Sequence, residues 1–130
     1  EKKELAVELL KKNKEQFQAD NLEIIEGLAP EAMKALEAPT HAFIGGSSGN
    51  MKEIMELLLE KNSKVRIVIN CIALESVSEA LECLKTLPVT DTEIVQMTVS
   101  KSKTVGRYHM MMGENPIYII SCTGNCQQRG

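Results

Sequence analysis

The chain has 130 residues, 43% of them hydrophobic and 25% charged, with a net charge of −3. That is enough for one globular domain with one core. The acidic balance and the 3% of aromatics argue against a nucleic-acid partner, and no apolar run is long enough to span a bilayer. Four cysteines occur; Cys122 and Cys126 are the only close pair and match no zinc pattern, so reduced and partly buried thiols are expected and no metal, with a metal or redox role for Cys122 and Cys126 as the alternative. No signal peptide precedes Glu1, which makes the cytoplasm the default location.

Glu4 to Phe17 carries apolar residues at Leu5, Ala6, Leu9, Leu10 and Phe17 among lysines and glutamates, a spacing that predicts a one-faced helix. "LEIIEG", Leu22 to Gly27, predicts a short strand. Pro30 opens a second predicted helix, Glu31 to Leu36. "HAFIG", His41 to Gly45, predicts a strand, and Met51 to Lys61 a helix with Ile54, Leu57 and Leu58 on one face. Lys64 to Ala73 is apolar at almost every position past Arg66, as in a strand covered on both faces. Ser76 to Leu87 predicts a helix capped by Ser76, with Glu79 three residues on. "TEIVQMTVSKSKTVGRYHMMM" and "NPIYIISC" flank "GENP" and predict an antiparallel pair that closes the sheet.

This order indicates an α/β fold with parallel strands and crossover helices. Ligands of such sheets bind beyond the carboxyl ends of the strands. Three of those ends carry small or polar residues: Gly27 to Pro30, Gly45 to Asn50, and Asn70 to Glu75. In "FIGGSSGN", Phe43 to Asn50, the glycines let a ligand reach the backbone, and the N-terminus of the next helix offers N–H groups. A tight turn without ligand explains the same residues. A phosphate loop fits less well, because Lys52 is misplaced for that motif.

Three stretches, "NLEIIEGLAPEAM", "HAFIGGSSGNMKEIMELL" and "RIVINCIALES", together with "TVGRYHMMMGENPIYIIS", resemble the class I S-adenosylmethionine-dependent methyltransferases. More narrowly, they resemble the decarboxylating precorrin methyltransferases of cobalamin biosynthesis. The resemblance implies a Rossmann-like sheet with a C-terminal antiparallel hairpin, and a first strand, glycine-rich loop and helix upstream of Glu1. Residues 1–130 are then expected to be a single, incomplete methyltransferase domain.

It also implies S-adenosylmethionine as cofactor, with Glu1, Gly27, Leu28, Ala29, Ile44, Gly45 and Gly46 as cofactor-binding residues. Glu1 falls at the acidic position that meets the ribose, and Leu28 stands where many relatives have an adenine-contacting Asp. The implied substrate is a tetrapyrrole rich in carboxylates. Ser47, Gly49, Asn50, Asn70, Glu75 and Arg107 are its candidate contacts, with Lys101 and Lys103 beside Arg107. A charged, solvated strand edge explains those three cations equally well. Methyl transfer from a sulfonium needs alignment more than acid–base help, and no catalytic residue is assigned. His41 is read as structural, Met110 to Met112 as packing or subunit contacts, and the protein as a homo-oligomer. A methyltransferase with another substrate, or a non-catalytic nucleotide-binding or interaction module, are the alternative readings.

Overall fold

The computed structural model describes residues 1–46 and 49–125. They fall into two compact units, Glu1–Glu37 and Ala38–Gly130.

In the first unit, helix α1 spans Glu4–Gln16. Its inward stripe is Val7, Leu10 and Lys14, at i, i+3 and i+7, with Val7 buried and the other two half-buried. Leu5, Leu9 and Phe17 of the predicted apolar face are exposed instead. Residues 22–26 have no regular secondary structure and Gly27 is a bend, so the predicted strand does not form among the described residues. Apolar composition suits a strand, but a strand also needs a ladder partner. The backbone partner of this stretch is Glu1, whose amino-terminal nitrogen donates to Ile25 O at 3.1 Å while Gly27 N–H donates to Glu1 O at 2.9 Å. Those two bonds make one rung of parallel pairing. The predicted helix from Glu31 to Leu36 shrinks to a single 3-10 turn, Glu31–Met33.

The second unit holds strand β1 (His41–Ile44), helix α2 (Met51–Lys61), strand β2 (Arg66–Cys71) and helix α3 (Leu74–Thr86). Four more strands follow: β3 (Val89–Met97), β4 (Ser100–Val105), β5 (Tyr108–Gly113) and β6 (Ile117–Gly124). The sheet order is β1-β2-β6-β3. β1 and β2 pair in parallel across the α2 crossover, while β6 runs antiparallel to both β2 and β3. β4 and β5 form a separate two-stranded ribbon. The predicted closing pair is therefore β3 with β6, and the long stretch before "GENP" holds two further strands folded on each other. Gly106, at φ +60°, and Arg107 make the two-residue turn of that ribbon.

α3 packs on β2 and β6 and against α2. Ile67, Ile69 and Cys71 of β2, Ile120 and Cys122 of β6, and Met55 and Leu58 of α2 are buried. Each large aliphatic side chain removed from water contributes about 1.5–3 kcal/mol, which makes this layer the core. β2 alternates strictly: the other face, with Arg66, Val68 and Asn70, is half-buried rather than fully covered. α3 begins two residues before the predicted cap. Ala73 is its N-cap residue and Ser76 lies inside the first turns. His41 is exposed at the start of β1, its Nδ1 3.0 Å from Thr40 Oγ1. No helix among the described residues is long and apolar enough to cross a membrane.

Candidate functional site

Parallel β1 and β2 end side by side, with Ile44 opposite Ile69. Their carboxyl ends open into a cleft of about 230 Å³ lined by Ile44, Gly45, Gly46, Met51, Ile69, Asn70, Cys71, Ile72, Ala73 and Ser76. The two strand-end loops of this unit thus form opposite lips of one cleft. A Cβ on Gly46 would meet nothing within 4 Å, so open space lies over the bare backbone.

The lining carries no ionisable carboxylate or amine. Its polar side chains are Asn70, Ser76 and the Cys71 thiol. Among the described residues, Asn70 Oδ1 is buried without a hydrogen-bond partner. Leaving a buried acceptor unpaired costs about 1–3 kcal/mol, and functional sites are where such a cost is tolerated. The Cys71 thiol is held above its ordinary range by burial and by the Glu79 carboxylate, so it stays protonated and poorly nucleophilic.

The structure brings Ile44, Gly45, Gly46 and Asn70 together. It does not place Glu75 with them: Glu75 lines an outer groove of about 410 Å³ with Lys52, Ser78, Glu79, Glu82, Cys83 and Thr86. Gly49, at φ +82°, and Asn50 precede α2 without lining the cleft, and the Asn50 side chain makes no cap hydrogen bond. Ser47 lies outside the described residues, as does Cys126. Arg107 sits in the turn of the exposed β4–β5 ribbon and is not part of the cleft lining. Sequence reasoning gives no site role to Met51, Ile69, Cys71, Ile72, Ala73 or Ser76, although Cys71, Ile72 and Ala73 fall in the strand-end stretch Asn70 to Glu75. Ser76 carries a helix-cap signature, which hides its place in the cleft wall.

One expectation about α2 needs correction. Its N-terminal N–H groups are not all free for a ligand, because Met51 N–H donates to Glu79 Oε1 of α3 at 3.1 Å.

The first unit positions Glu1, Gly27, Leu28 and Ala29 locally. Glu1 Oε1 accepts the N–H groups of Lys2 and Lys3, both at 2.9 Å, and the bond from Lys3 is the largest cause that lowers its carboxyl pKa. Gly27 adopts φ +148°, and a Cβ there would stand 2.8 Å from Ala32 Cβ, so only glycine fits. Leu28 O accepts Ala32 N–H at 2.9 Å, with the Leu28 side chain exposed.

The family model for the precorrin methyltransferase domain matches residues 1–123. The chain belongs to this family. It is 38% identical over 125 residues to a probable cobalt-precorrin-6B C(15)-methyltransferase (decarboxylating) of Sulfurisphaera tokodaii, covering 92% of this chain and 62% of that protein. A crystal structure of precorrin-6y C5,15-methyltransferase from Geobacter metallireducens superimposes with a TM-score of 0.85 at 31% identity, over 95% of this chain and 65% of that one. Precorrin 8W decarboxylase of Methanobacterium thermoautotrophicum gives 0.84 at 30% identity, over 93% of this chain and 66% of that one. The chain thus spans a little under two thirds of the length of these relatives, and its mixed parallel and antiparallel sheet is the methyltransferase sheet they share.

Proposed function

We propose that the protein is an S-adenosylmethionine-dependent methyltransferase of cobalamin biosynthesis that methylates a corrin precursor and removes carbon dioxide from it. The observation that carries this reading is the cleft at the carboxyl ends of β1 and β2, with bare backbone at Gly46 and an unpartnered acceptor at Asn70, in a chain of the precorrin methyltransferase family. The family match runs through both compact units, which supports treating residues 1–130 as parts of one methyltransferase domain.

The residues present fit the cofactor. Among the described residues the lining is uncharged, the lip at Gly46 leaves room for a flat or bulky group, and no strong nucleophile is present. The cofactor contacts proposed at the cleft are Ile44, Gly45 and Gly46; Glu1, Gly27, Leu28 and Ala29 stay in the proposal as contacts implied by the family resemblance. When bound, S-adenosylmethionine supplies an electrophilic methyl group on a sulfonium. The chain's own contribution is positional. Buried, apolar Ile44, Met51 and Ile69 form the dry part of the cleft wall, and Asn70 Oδ1 accepts a hydrogen bond from a donor on the ligand. Ser47, Gly49, Asn50 and Glu75 stay in the proposal as contacts at its rim. Lys101, Lys103 and Arg107 would meet substrate carboxylates from the ribbon.

The test is turnover by the full-length protein with cobalt-precorrin-6B and S-adenosylmethionine carrying a labelled methyl group. Label in the corrinoid together with released carbon dioxide is the expected result. Binding of S-adenosylhomocysteine without turnover of any corrinoid would move the reading to another substrate.

We also propose that the protein works as a homo-oligomer in the cytoplasm. Every residue of β4 and β5 is exposed, and a two-stranded ribbon is marginally stable alone. Val105, Tyr108, Met110 and Met112 share one ribbon face by register with Lys101 and Lys103, and a second copy would cover its apolar side chains. Sedimentation of wild-type protein and of Met112→Glu tests this: the wild type should sediment as an oligomer, and the variant should dissociate.

A further inference from the structure

We propose that Glu79 is a positioning residue for the cleft, holding its two lips at a fixed separation. The proposal rests on the reading of the cleft as the ligand site.

Helix α2 starts at an N-cap residue, Asn50, whose side chain makes no cap hydrogen bond. Its first N–H, on Met51, is instead taken by Glu79 Oε1 at 3.1 Å, 28 residues away on α3. A carboxylate suits that place, because the N-terminal end of a helix carries unpaired N–H groups and positive dipole. Met51 is 1% exposed and lines the cleft, so the held N–H belongs to the cleft wall itself.

The other end of the tie is equally close to the site. α3 begins at Leu74, directly after the cleft residues Ile72 and Ala73, and its first turn contributes Ser76 to the lining. Glu79 follows Ser76 by three residues, about one helical turn. One hydrogen bond therefore joins the helix that leaves the glycine lip to the helix that leaves the Asn70 lip. The Glu79 charge also acts on the thiol of Cys71, another lining residue, which agrees with its placement behind the cleft wall. The rest of the carboxylate opens to the outer groove, so no ligand in the cleft needs to touch it.

The test uses the full-length protein with Glu79→Ala, Glu79→Gln and, as a stability control, Ala80→Gly. Ala80 is fully buried on the core side of α3, so glycine there weakens the helix without touching the tie. Amide exchange is read over residues 49–54 and 72–77, and S-adenosylhomocysteine affinity by calorimetry. Glu79→Ala should speed exchange in both segments and weaken affinity about tenfold, in line with one lost charge-assisted hydrogen bond. Glu79→Gln keeps an acceptor oxygen and should recover most of both. Ala80→Gly should match the fall in Tm and leave affinity within about twofold. Wild-type exchange and affinity in Glu79→Ala, or equal losses in Ala80→Gly, would overturn the proposal. If wild-type protein binds no S-adenosylhomocysteine, the ligand reading of the cleft fails and Glu79's role in binding falls with it. The exchange data then decide the helix tie alone.

Discussion

Arg66 and Thr123 face each other across β2 and β6, and the guanidinium Nη1 donates to the threonine Oγ1 at 2.8 Å. Nη2 donates to Ser121 Oγ at 3.0 Å, and Nη1 also reaches the carbonyl of Asp91 at 3.1 Å. Asp91 sits at φ +50° where the β3–β6 register shifts between Thr90 and Glu93. A bulge takes a carbonyl out of the ladder, and one side chain on β2 satisfies it across the whole width of β6.

Arg66→Met keeps the aliphatic stem and removes these donors. It should destabilise the protein by about 1–2 kcal/mol, the lower part of the range for charged hydrogen bonds because the group is partly solvated. Urea unfolding measures this. Arg66→Lys should recover only part of the loss, since an ammonium cannot spread over three acceptors in one plane.

Much of this unit is legible in the sequence where the signals are local. The helix Met51–Lys61 forms with the predicted limits, because its apolar spacing and flanking glycines act within a few turns. Ser76 and Glu79 look like a capping box for one helix, yet Glu79 bonds to Met51 of another. Spacing in sequence cannot reveal a partner 28 residues away. Leu22 to Gly27 fails as a strand for a similar reason: strand composition is local, but its ladder is not. Arg66 reads as one charged residue at the start of an apolar run, and only the bulge at Asp91 gives it a task.

Two glycines should behave oppositely. A Cβ on Gly124 would collide with the backbone carbonyl of Ser63 and approach Leu59 Cδ2, whereas a Cβ on Gly46 meets open space. Gly124→Ala should therefore cost about 1–3 kcal/mol of stability, as overpacked sites do. Gly46→Val should unfold at nearly the wild-type urea concentration but lose S-adenosylhomocysteine binding in the full-length protein. Wild-type affinity in Gly46→Val would remove that lip from the site.

Alkaline pH should loosen the fold through its thiols. Burial, helped by Glu79, raises Cys71 and Cys83, and burial raises Cys122 against the opposing effect of Arg66. Their ordinary value is 9.0, so below that pH both folded and unfolded thiols are protonated and the contribution to stability is complete. As pH rises past it, the unfolded chain releases protons that the folded chain keeps. Stability then falls by up to about 1.4 kcal/mol per pH unit for each such thiol. Urea midpoints between pH 8 and 10.5 should drop more steeply for wild type than for a Cys71→Ala, Cys83→Ala, Cys122→Ala triple variant. Equal slopes would show that the buried thiols do not carry the alkaline loss.

Asn70 offers the sharpest separation of stability from binding. Its Oδ1 is buried at the carboxyl end of β2 with no partner among the described residues, in a cleft whose other walls are mainly apolar. An unpaired buried acceptor weakens the fold, and replacing it with an apolar group of similar shape removes that penalty. Asn70→Leu should accordingly be neutral or stabilise the protein by about 0.5–2 kcal/mol. If the free acceptor exists to meet a donor on a ligand, the same change should weaken binding or turnover in the full-length protein by tenfold or more. Asn70→Asp keeps the acceptor but buries a charge, and should lose stability without recovering more than part of the binding. A leucine variant that is both more stable and fully able to bind would show that the acceptor serves no ligand, and the cleft's assignment would then rest on the glycine lip alone.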